Sequence, residues 1–232
     1  MGLSDVRHSL FERLHQLERQ AGRKQFVGML HRQGRMHPDI CQFVNRRFYH
    51  GLLQAVPLPH QTEQLPIAAG RTAFEQFVAT TRMGFFPVAT DSNHENLRAN
   101  EPEARVAARV VEALVSLYGT QTQTCFQPEQ AIGIIVPFRS QIACIRSMLR
   151  RIGLACAETI TIDTVECYQG SQRDCILFST TVSQPYQMQL LSEVHNVDGV
   201  AVDRKLNVAV TRARKQFFLI GNPRLLAESD IY

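Results

Sequence analysis

The order of apolar and polar residues along the chain predicts alternating helices and strands. The continuous run at 131–136, which is rich in β-branched residues, is typical of a strand buried on both faces. Apolar or small residues recur three and four positions apart from Glu101 to Tyr118, which predicts a helix ending near Gly119. The same criteria predict helices at 9–18 (closed by Gly22), 39–49, 72–81 and 137–152, and strands at 26–30, 83–88, 158–163 and 174–182. This alternation predicts an α/β fold with a mainly parallel sheet, whose active edge lies at the carboxyl ends of the strands.

Two longer stretches show no periodicity and are predicted to be surface loops. Residues 51–70 are rich in Pro, Gln and Gly, and residues 184–202 separate the last predicted strand from the segment that follows it. No domain boundary is apparent beyond these two stretches, and no internal repeat stands out. We therefore expect a single domain over residues 1–232.

The segment 206–215 combines a buried face with a strongly cationic one. Apolar residues at 206, 208, 210 and 213 alternate with polar ones that include Arg212, Arg214 and Lys215, and a strand-like run follows. Because guanidinium is planar and always charged, such arginines suit phosphate. The alternative is a basic helix end on an ordinary surface.

Composition narrows the class of protein. Of the 25 basic residues only Lys24, Lys205 and Lys215 are lysines, a bias that either phosphate binding or genome composition explains. The six cysteines form no Cys-x-x-Cys pair, which favours reduced, buried thiols and a cytoplasmic protein. The first twenty residues carry several charges, so no signal peptide is expected, and no apolar run reaches the ~18 residues of a membrane helix.

Several catalytic motifs are missing from the chain. There is no Gly-x-x-x-x-Gly-Lys-Ser/Thr loop to cradle ATP phosphates and no Asp-Glu pair after a strand to hold magnesium. A Gly-x-Ser-x-Gly elbow, a His-Glu-x-x-His zinc motif and a partnered cysteine nucleophile are also missing. We predict no resident metal site, and the chain cannot be a complete P-loop ATPase.

Four polar turns stand beside predicted buried strands, at 33–38, 136–141, 164–170 and 210–214. With Leu10-Phe11-Glu12-Arg13-Leu14 at one end and Gly221-Asn222 at the other, their order and spacing resemble the second, C-terminal RecA-like domain of superfamily-one helicases. The resemblance is to the subgroup of the nonsense-mediated-decay and immunoglobulin-mu-binding helicases, and it covers nearly the whole chain. It implies a RecA-like three-layer α/β/α domain.

The resemblance also implies roles for particular residues. Arg35 and Arg212 match the arginines that reach the γ-phosphate of ATP across an interdomain cleft, and Arg212 matches a built-in arginine finger. Gln169 and Gly170 match the turn that couples nucleotide to nucleic acid. Residues near the nucleic-acid groove are implied to be Thr164, Pro137, Arg139 and Gln141. For Arg139, a purely structural role that covers its own helix is the alternative.

Two positions depart from the family pattern. Gly34 stands where the family has a tyrosine that stacks on adenine, and Gln172 stands where it has a glutamate that binds the ribose. Both departures fall on the base and sugar side of the nucleotide. We therefore predict relaxed nucleotide selectivity in the assembled enzyme.

The leading hypothesis is the C-terminal motor domain of an ATP-dependent DNA or RNA helicase or translocase, with a 5′-to-3′ direction implied by the family. ATP with Mg²⁺ would be held mainly by an N-terminal RecA-like domain in the same or a separate chain, so the present chain is expected to be inactive alone. The partners would be that domain and single-stranded DNA or RNA, with no membrane. The main alternative is a stand-alone nucleic-acid or partner-binding domain without ATPase activity, suggested by a chain that starts at Met1 without a first domain. An unrelated α/β phosphate-binding enzyme would need a complete catalytic site, which the sequence lacks.

Overall fold

The computed structural model describes residues 10–65, 72–89, 98–119, 126–197 and 200–232. Contacts divide the chain into two compact units, Met1–Arg32 and Gln33–Tyr232, and the prediction of one domain over the full length stays a prediction. Among the described residues, no helix combines the length and apolar character needed to cross a bilayer.

The first unit contains helix α1 (Leu10–Gln20) and a 3-10 turn at Lys24–Phe26. The helix follows its predicted period, and Gly22 ends it with a φ of 68°. None of its residues is buried. The strand predicted at 26–30 is absent, because a short apolar run forms a strand only where a neighbouring strand pairs with its backbone.

The second unit is built on a five-stranded sheet with the order β3-β9-β6-β4-β5, in which every neighbouring pair is parallel. Its strands are β3 (Met83–Pro87), β4 (Ile132–Val136), β5 (Thr161–Thr164), β6 (Arg173–Ser179) and β9 (Ala213–Gly221). Two short strand pairs lie outside it: β1 (Arg32–Gln33) with β2 (Gln54–Ala55), and β7 (Val194–Val197) antiparallel to β8 (Val200–Asp203).

The helices cover both faces of this sheet. They are α2 (Pro38–Phe48), α3 (Pro59–Thr62), α4 (Ala73–Thr80), α5 (Glu101–Gly119), α6 (Pro128–Ala131), α7 (Arg139–Arg151), α8 (Met188–Leu191), α9 (Arg204–Thr211) and α10 (Pro223–Leu226). One apolar cluster joins α4, α5 and α7 to sheet residues such as Ile134, and the other joins α2, α9 and α10 to alternate residues such as Ile135. The predicted three-layer α/β/α fold with a parallel sheet is confirmed.

The two stretches predicted as structureless loops contain regular elements. Residues 51–70 include β2 and α3, whose Gln61 has no exposed surface, although residues 66–70 lie outside the described part. Residues 184–202 include a 3-10 turn at Pro185–Gln187, α8, β7 and most of β8. The sequence at 90–100 is polar and predicts a further loop, of which residues 90–97 lie outside the described part of the chain. The prediction failed because these short elements follow tertiary contacts rather than an amphipathic repeat.

The cysteines within the described residues are free thiols. Cys175 is buried in the central strand β6, where burial raises the pKa of its thiol to about 12. Cys167 differs from the expectation, because it is exposed on the turn after β5.

Candidate active site and nucleic-acid interface

Arg212 lies where α9 ends and β9 begins. It is the C-cap residue of the helix, and its Nε donates to the Val208 carbonyl oxygen at 3.2 Å. Its other guanidinium nitrogens donate to the Ser171 carbonyl oxygen at 3.3 Å and to the Thr211 hydroxyl at 3.4 Å. Burial, together with the neighbouring charge of Arg35, lowers the pKa of Arg212.

Arg35 reaches the same place from the segment that precedes α2. Its guanidinium donates from Nη1 to the Thr211 carbonyl oxygen at 3.0 Å and from Nε to the Gln172 side-chain oxygen at 3.1 Å. The backbone of the next turn is joined to the start of β9, since the His37 N–H donates to the Arg214 carbonyl oxygen at 2.8 Å. The fold thereby brings Arg35 into contact with Thr211, which lies 176 positions later in the chain.

The charge of this arginine pair is not compensated within the described residues. Every hydrogen-bond acceptor of Arg35 and Arg212 is a neutral carbonyl, amide or hydroxyl oxygen. No ion pair with a carboxylate involves either side chain in the described part of the chain. Each guanidinium has five N–H groups, of which Arg35 uses two and Arg212 three, so several donors are left for an anion. This arrangement fits the phosphates of a nucleotide.

Arg214 and Lys215, from the same cationic segment, differ from Arg212 in their partners. Asp174 forms ion pairs with Arg214 and Lys215, each with an N···O distance of 3.1 Å, and Glu63 forms an ion pair with Lys215 at 2.9 Å. These ion pairs neutralise both cations. The structural alternative therefore holds for Arg214 and Lys215.

The turn before β6 forms the third side of the arginine site. Gly170 adopts a φ of 88°, a left-handed conformation that favours glycine. Ser171 contributes the carbonyl oxygen that accepts from Arg212, and Gln172 the amide oxygen that accepts from Arg35. Gln169 is exposed, and its side chain has no polar partner among the described residues. The structure thus places Arg35, Arg212 and the turn side by side, and their role as a nucleotide site stays a prediction.

Three residues that support Arg35 were not found by the sequence reasoning. The Gln33 side-chain oxygen accepts from the N–H groups of Arg35 and Met36 at 2.8 and 2.7 Å. Gln61 donates to the Met36 carbonyl oxygen at 2.7 Å, and a His60 ring nitrogen lies 3.2 Å from the Arg35 carbonyl oxygen. Gln33 belongs to the polar turn at 33–38, whereas His60 and Gln61 lie in the stretch 51–70, which shows no periodicity.

Gly34, the first departure from the family pattern, is exposed. A Cβ atom at this position would lie 2.9 Å from Leu58 Cδ1. A larger residue therefore fits only if Leu58, which is 38% exposed and flexible at its end, moves aside.

The two groups of predicted residues lie at opposite edges of the sheet. Arg173 pairs with Ala213 at the amino ends of β6 and β9, next to Arg212, whereas Val136 pairs with Thr164 at the carboxyl ends of β4 and β5. The seven residues of β6 separate these edges by about 20 Å. The expectation that the active edge lies at the carboxyl ends is therefore wrong for the arginines, because α9 and the 165–172 turn return to the amino ends before the next strand starts.

The carboxyl edge contains the residues predicted to be near nucleic acid. Thr164 and Pro137 are half-buried, and Arg139 is exposed at the first residue of α7 with no partner among the described residues. A cation at a helix N-terminus opposes the helix dipole, so Arg139 does not stabilise its own helix. Its guanidinium is therefore accessible to an external anion, and the alternative that it covers its own helix stays open.

Gln141 does not face a groove. It is completely buried, its oxygen accepts from the Asn100 N–H at 2.7 Å, and its NH₂ group donates to the Asn100 carbonyl and Ser179 hydroxyl oxygens. Both donors and the acceptor are thus used inside the protein. The prediction of a nucleic-acid contact is wrong for this side chain, which holds α7 to the end of β6.

A buried carboxylate, Glu103, lies in the same junction and gave no sequence signal. Its Oε2 accepts from the Ser179 hydroxyl at 2.7 Å and from the Thr181 N–H at 2.8 Å, and Asn100 donates to its Oε1. Thr181 has a φ of 60°, which the bond from its N–H helps to hold. Complete burial raises the pKa of Glu103 to about 7. In the described residues no group of three or more His, Cys, Asp and Glu side chains is arranged to hold a metal ion.

The fold and the arginine pair define an α/β domain that presents uncompensated cations at one sheet edge. The family model described as "AAA domain" matches residues 6–224, so the chain belongs to that family, which is the C-terminal helicase domain of superfamily-one helicases of the Sen1 and Upf1 type.

Similar proteins include helicases of several organisms. The chain is 28% identical over 204 residues to helicase sen1 of Schizosaccharomyces pombe, covering 86% of this chain and 11% of that protein. It is 28% identical over 229 residues to the regulator of nonsense transcripts 1 homolog of Arabidopsis thaliana (97% and 16%) and 30% identical over 228 residues to the 3′-5′ exoribonuclease HELZ2 of Mus musculus (94% and 7%). The chain thus spans less than a fifth of the length of these relatives.

Among solved structures, the C-terminal domain of a possible DNA helicase from Lactobacillus plantarum aligns with 85% of this chain and 95% of its own. The identity over this alignment is 11% and the TM-score is 0.42.

Proposed function

We propose that this chain is the C-terminal motor domain of an ATP-dependent DNA or RNA helicase or translocase. The observation that carries the proposal is the pair Arg35 and Arg212, held side by side by neutral oxygens with no carboxylate partner in the described part of the chain. Two adjacent guanidiniums in this state favour a polyanion. An N-terminal RecA-like domain would hold ATP with Mg²⁺, because this chain has no phosphate-binding loop.

Arg212 is proposed as the arginine finger. Its three hydrogen bonds are between 3.2 and 3.4 Å long, so closure of the cleft can exchange them for phosphate oxygens at low cost. Arg35 would bind the same phosphate from the other side. Since both arginines come from one domain and the nucleotide from another, hydrolysis would depend on closure. The exposed turn at Gln169 and Gly170 would couple that closure to the nucleic acid.

The test is to add an N-terminal RecA-like domain. We expect the present chain to show no ATPase activity alone, and an N-terminal ATP-binding domain of the same family, added or fused, to restore hydrolysis stimulated by single-stranded nucleic acid. Arg212→Ala should then reduce kcat by about 10³ or more, as expected for an arginine finger. Arg224→Ala, which removes an exposed arginine on α10, is the control and should keep full activity.

Without restoration of hydrolysis by any such domain, the alternative of a stand-alone binding domain is supported. Restored hydrolysis that survives Arg212→Ala would instead keep the motor function and reject the finger.

Nucleic acid is proposed to bind at the carboxyl edge of the sheet, along Thr164, Pro137 and Arg139. Arg139 would neutralise one phosphate of a single strand without reading sequence. We expect Arg139→Ala to weaken binding to homopolymers of different sequence alike, and to reduce the slope of log K against log salt by about 0.7.

The matched control for this measurement is Arg150→Ala in the last turn of the same helix, where Arg150 is paired with Glu158 at 2.5 Å. An unchanged slope for Arg139→Ala, or the same change in both variants, would contradict the proposed groove.

The free thiols support a cytoplasmic location, which we also propose.

A further inference from the structure

Gln172 contacts a residue 137 positions earlier in the chain. Its side-chain oxygen accepts from Arg35 Nε at 3.1 Å, while the Thr211 carbonyl oxygen accepts from Nη1 of the same guanidinium at 3.0 Å. The guanidinium is thus held on two of its edges. Its Nη2 group and the second hydrogen of Nη1 have no partner among the described residues, so this end of the plane is available to a ligand.

Gln172 is itself fixed by its neighbours. The Arg173 side chain donates to the Gln172 carbonyl oxygen at 2.8 Å and to the Thr161 hydroxyl at 2.9 Å. The Arg173 N–H donates to the Arg212 carbonyl oxygen at 3.0 Å. A continuous series of contacts therefore runs from β5 through Gln172 to Arg35, and it passes the backbone of the second arginine.

The chemical type of the residue at 172 decides what this contact does to the charge of Arg35. An amide oxygen orients the guanidinium and leaves its full positive charge, whereas a carboxylate at the same distance would form an ion pair and add a negative charge beside an anion site. An apolar side chain would remove the orientation and keep the charge. These three cases have different consequences for anion binding.

We propose that Gln172 is a positioning residue for Arg35, whose neutral amide directs the guanidinium toward a phosphate while leaving its charge uncompensated. The proposal rests on the proposed function, and it assigns Gln172 a contact to the arginine instead of the ribose contact that the family pattern implies. Gln172 acts through Arg35 and does not touch the phosphate.

The test uses the full chain, inorganic triphosphate as the probe, and the Arg35 Nε–Hε signal in ¹H–¹⁵N NMR spectra. We expect Gln172→Glu to weaken triphosphate binding about tenfold and Gln172→Met, similar in length but with no amide oxygen, about threefold. Gln172→Met should also shift the Arg35 Nε–Hε signal and speed its exchange with water. In an Arg35→Ala background the Met substitution should have no effect, and the Glu substitution a much smaller one.

Gln189→Glu, on the exposed side of α8, adds the same charge elsewhere and should leave the affinity unchanged. Equal effects of Gln172→Met with and without Arg35 would overturn the proposal, as would an Arg35 signal that does not respond to it. If the wild-type chain does not bind triphosphate but the Arg35 signal still responds, the anion site fails while the positioning contact stands.

Discussion

Arg212, Arg214 and Lys215 lie within four positions of one another but have different environments. Among the described residues, the Arg212 side chain donates to neutral oxygens, whereas Arg214 and Lys215 share Asp174. The alternation of apolar and polar residues does not distinguish the three, because it places each of them on the same cationic face. What separates them is the acidic partner, and it comes from β6.

Gly34 leads to a prediction about nucleotide selectivity, which also belongs to the scale of single residues. We expect the assembled enzyme to hydrolyse ATP and CTP with kcat/KM values within about tenfold of each other, because residue 34 offers no ring to stack on a base. Gly34→Tyr should raise the preference for ATP by about tenfold, as expected for one base–aromatic contact. The measurement is steady-state kinetics with both nucleotides.

Gly34→Ala is the control for Gly34→Tyr, because it adds the Cβ that approaches Leu58 without adding a ring. If the tyrosine variant gains nothing, Leu58→Ala in the same chain tests whether Leu58 blocks the ring. A wild-type enzyme that already discriminates strongly for ATP would refute the expectation.

At the scale of elements, the ends of strands and helices are held by side chains that the sequence pattern does not mark. Asp203 is buried at the N-terminus of α9 and accepts from the N–H groups of Lys205 and Leu206, so the helix that delivers Arg212 is fixed at its start. Tyr232 donates to the second oxygen of Asp203 at 2.9 Å. At the opposite edge, Glu103 joins α5 to the end of β6.

Glu103 makes the stability of this junction depend on pH. Its pKa is about 7 in the folded protein against an ordinary value of 4.5, so between these values the folded state binds more protons than the unfolded state. The contribution of Glu103 to the free energy of unfolding is therefore fully present below pH 4.5 and is lost as the pH rises through 7. A pKa difference of this size corresponds to about 3 kcal/mol.

We expect Glu103→Gln to remove this part of the pH dependence, as measured by urea unfolding at several pH values between 5 and 8. Glu112→Gln removes an exposed carboxyl group of the same helix and should follow the wild-type profile. Profiles of wild type and Glu103→Gln that run parallel over this range would contradict the assignment.

At the scale of the whole molecule, the residues proposed to bind nucleotide and those proposed to bind nucleic acid lie at opposite edges of one sheet. The arginine pair occupies the amino edge, and Thr164 with the start of α7 occupies the carboxyl edge. A rigid parallel sheet between them fits a motor domain in which nucleotide and nucleic acid bind at separate places.

The second unit should fold without the first. Because α1 buries none of its residues, we expect a chain of residues 33–232 to unfold cooperatively with a Tm within about 2 °C of the full chain. Removal of residues 223–232 is the contrasting deletion. It takes away the buried side chains of Leu225, Leu226 and Ile231, and should lower the Tm by about 10 °C or more. Differential scanning calorimetry of the three chains distinguishes these outcomes, and a large loss of Tm on removing residues 1–32 would contradict the first.

The helices and strands of the main sheet could be predicted from local periodicity. The strand at 131–136 and the helix at 101–118 appear within a residue or two of their expected bounds, because a continuous apolar run and a three-to-four-residue repeat each permit few structures. The strand at 26–30 and the loops at 51–70 and 184–202 were predicted wrongly. Short elements are decided by the strand or turn that packs beside them.

The sequence alone determined the α/β class and the helicase resemblance, and it singled out Arg35 and Arg212 as candidates for phosphate binding. Periodicity and motif order can be seen without the fold, because they are local properties of the chain. Only the tertiary structure decided that those arginines lie at the amino edge of the sheet and that Gln141 is buried. It also decided that Arg214 forms an ion pair and that Gln172 contacts Arg35. Each of these depends on a partner that is distant in sequence, such as Thr211 for Arg35 or Ser179 for Gln141. The residue types fix the charges and the hydrogen-bonding groups of the chain. The fold decides whether each of them finds a partner within the protein or is left for a ligand.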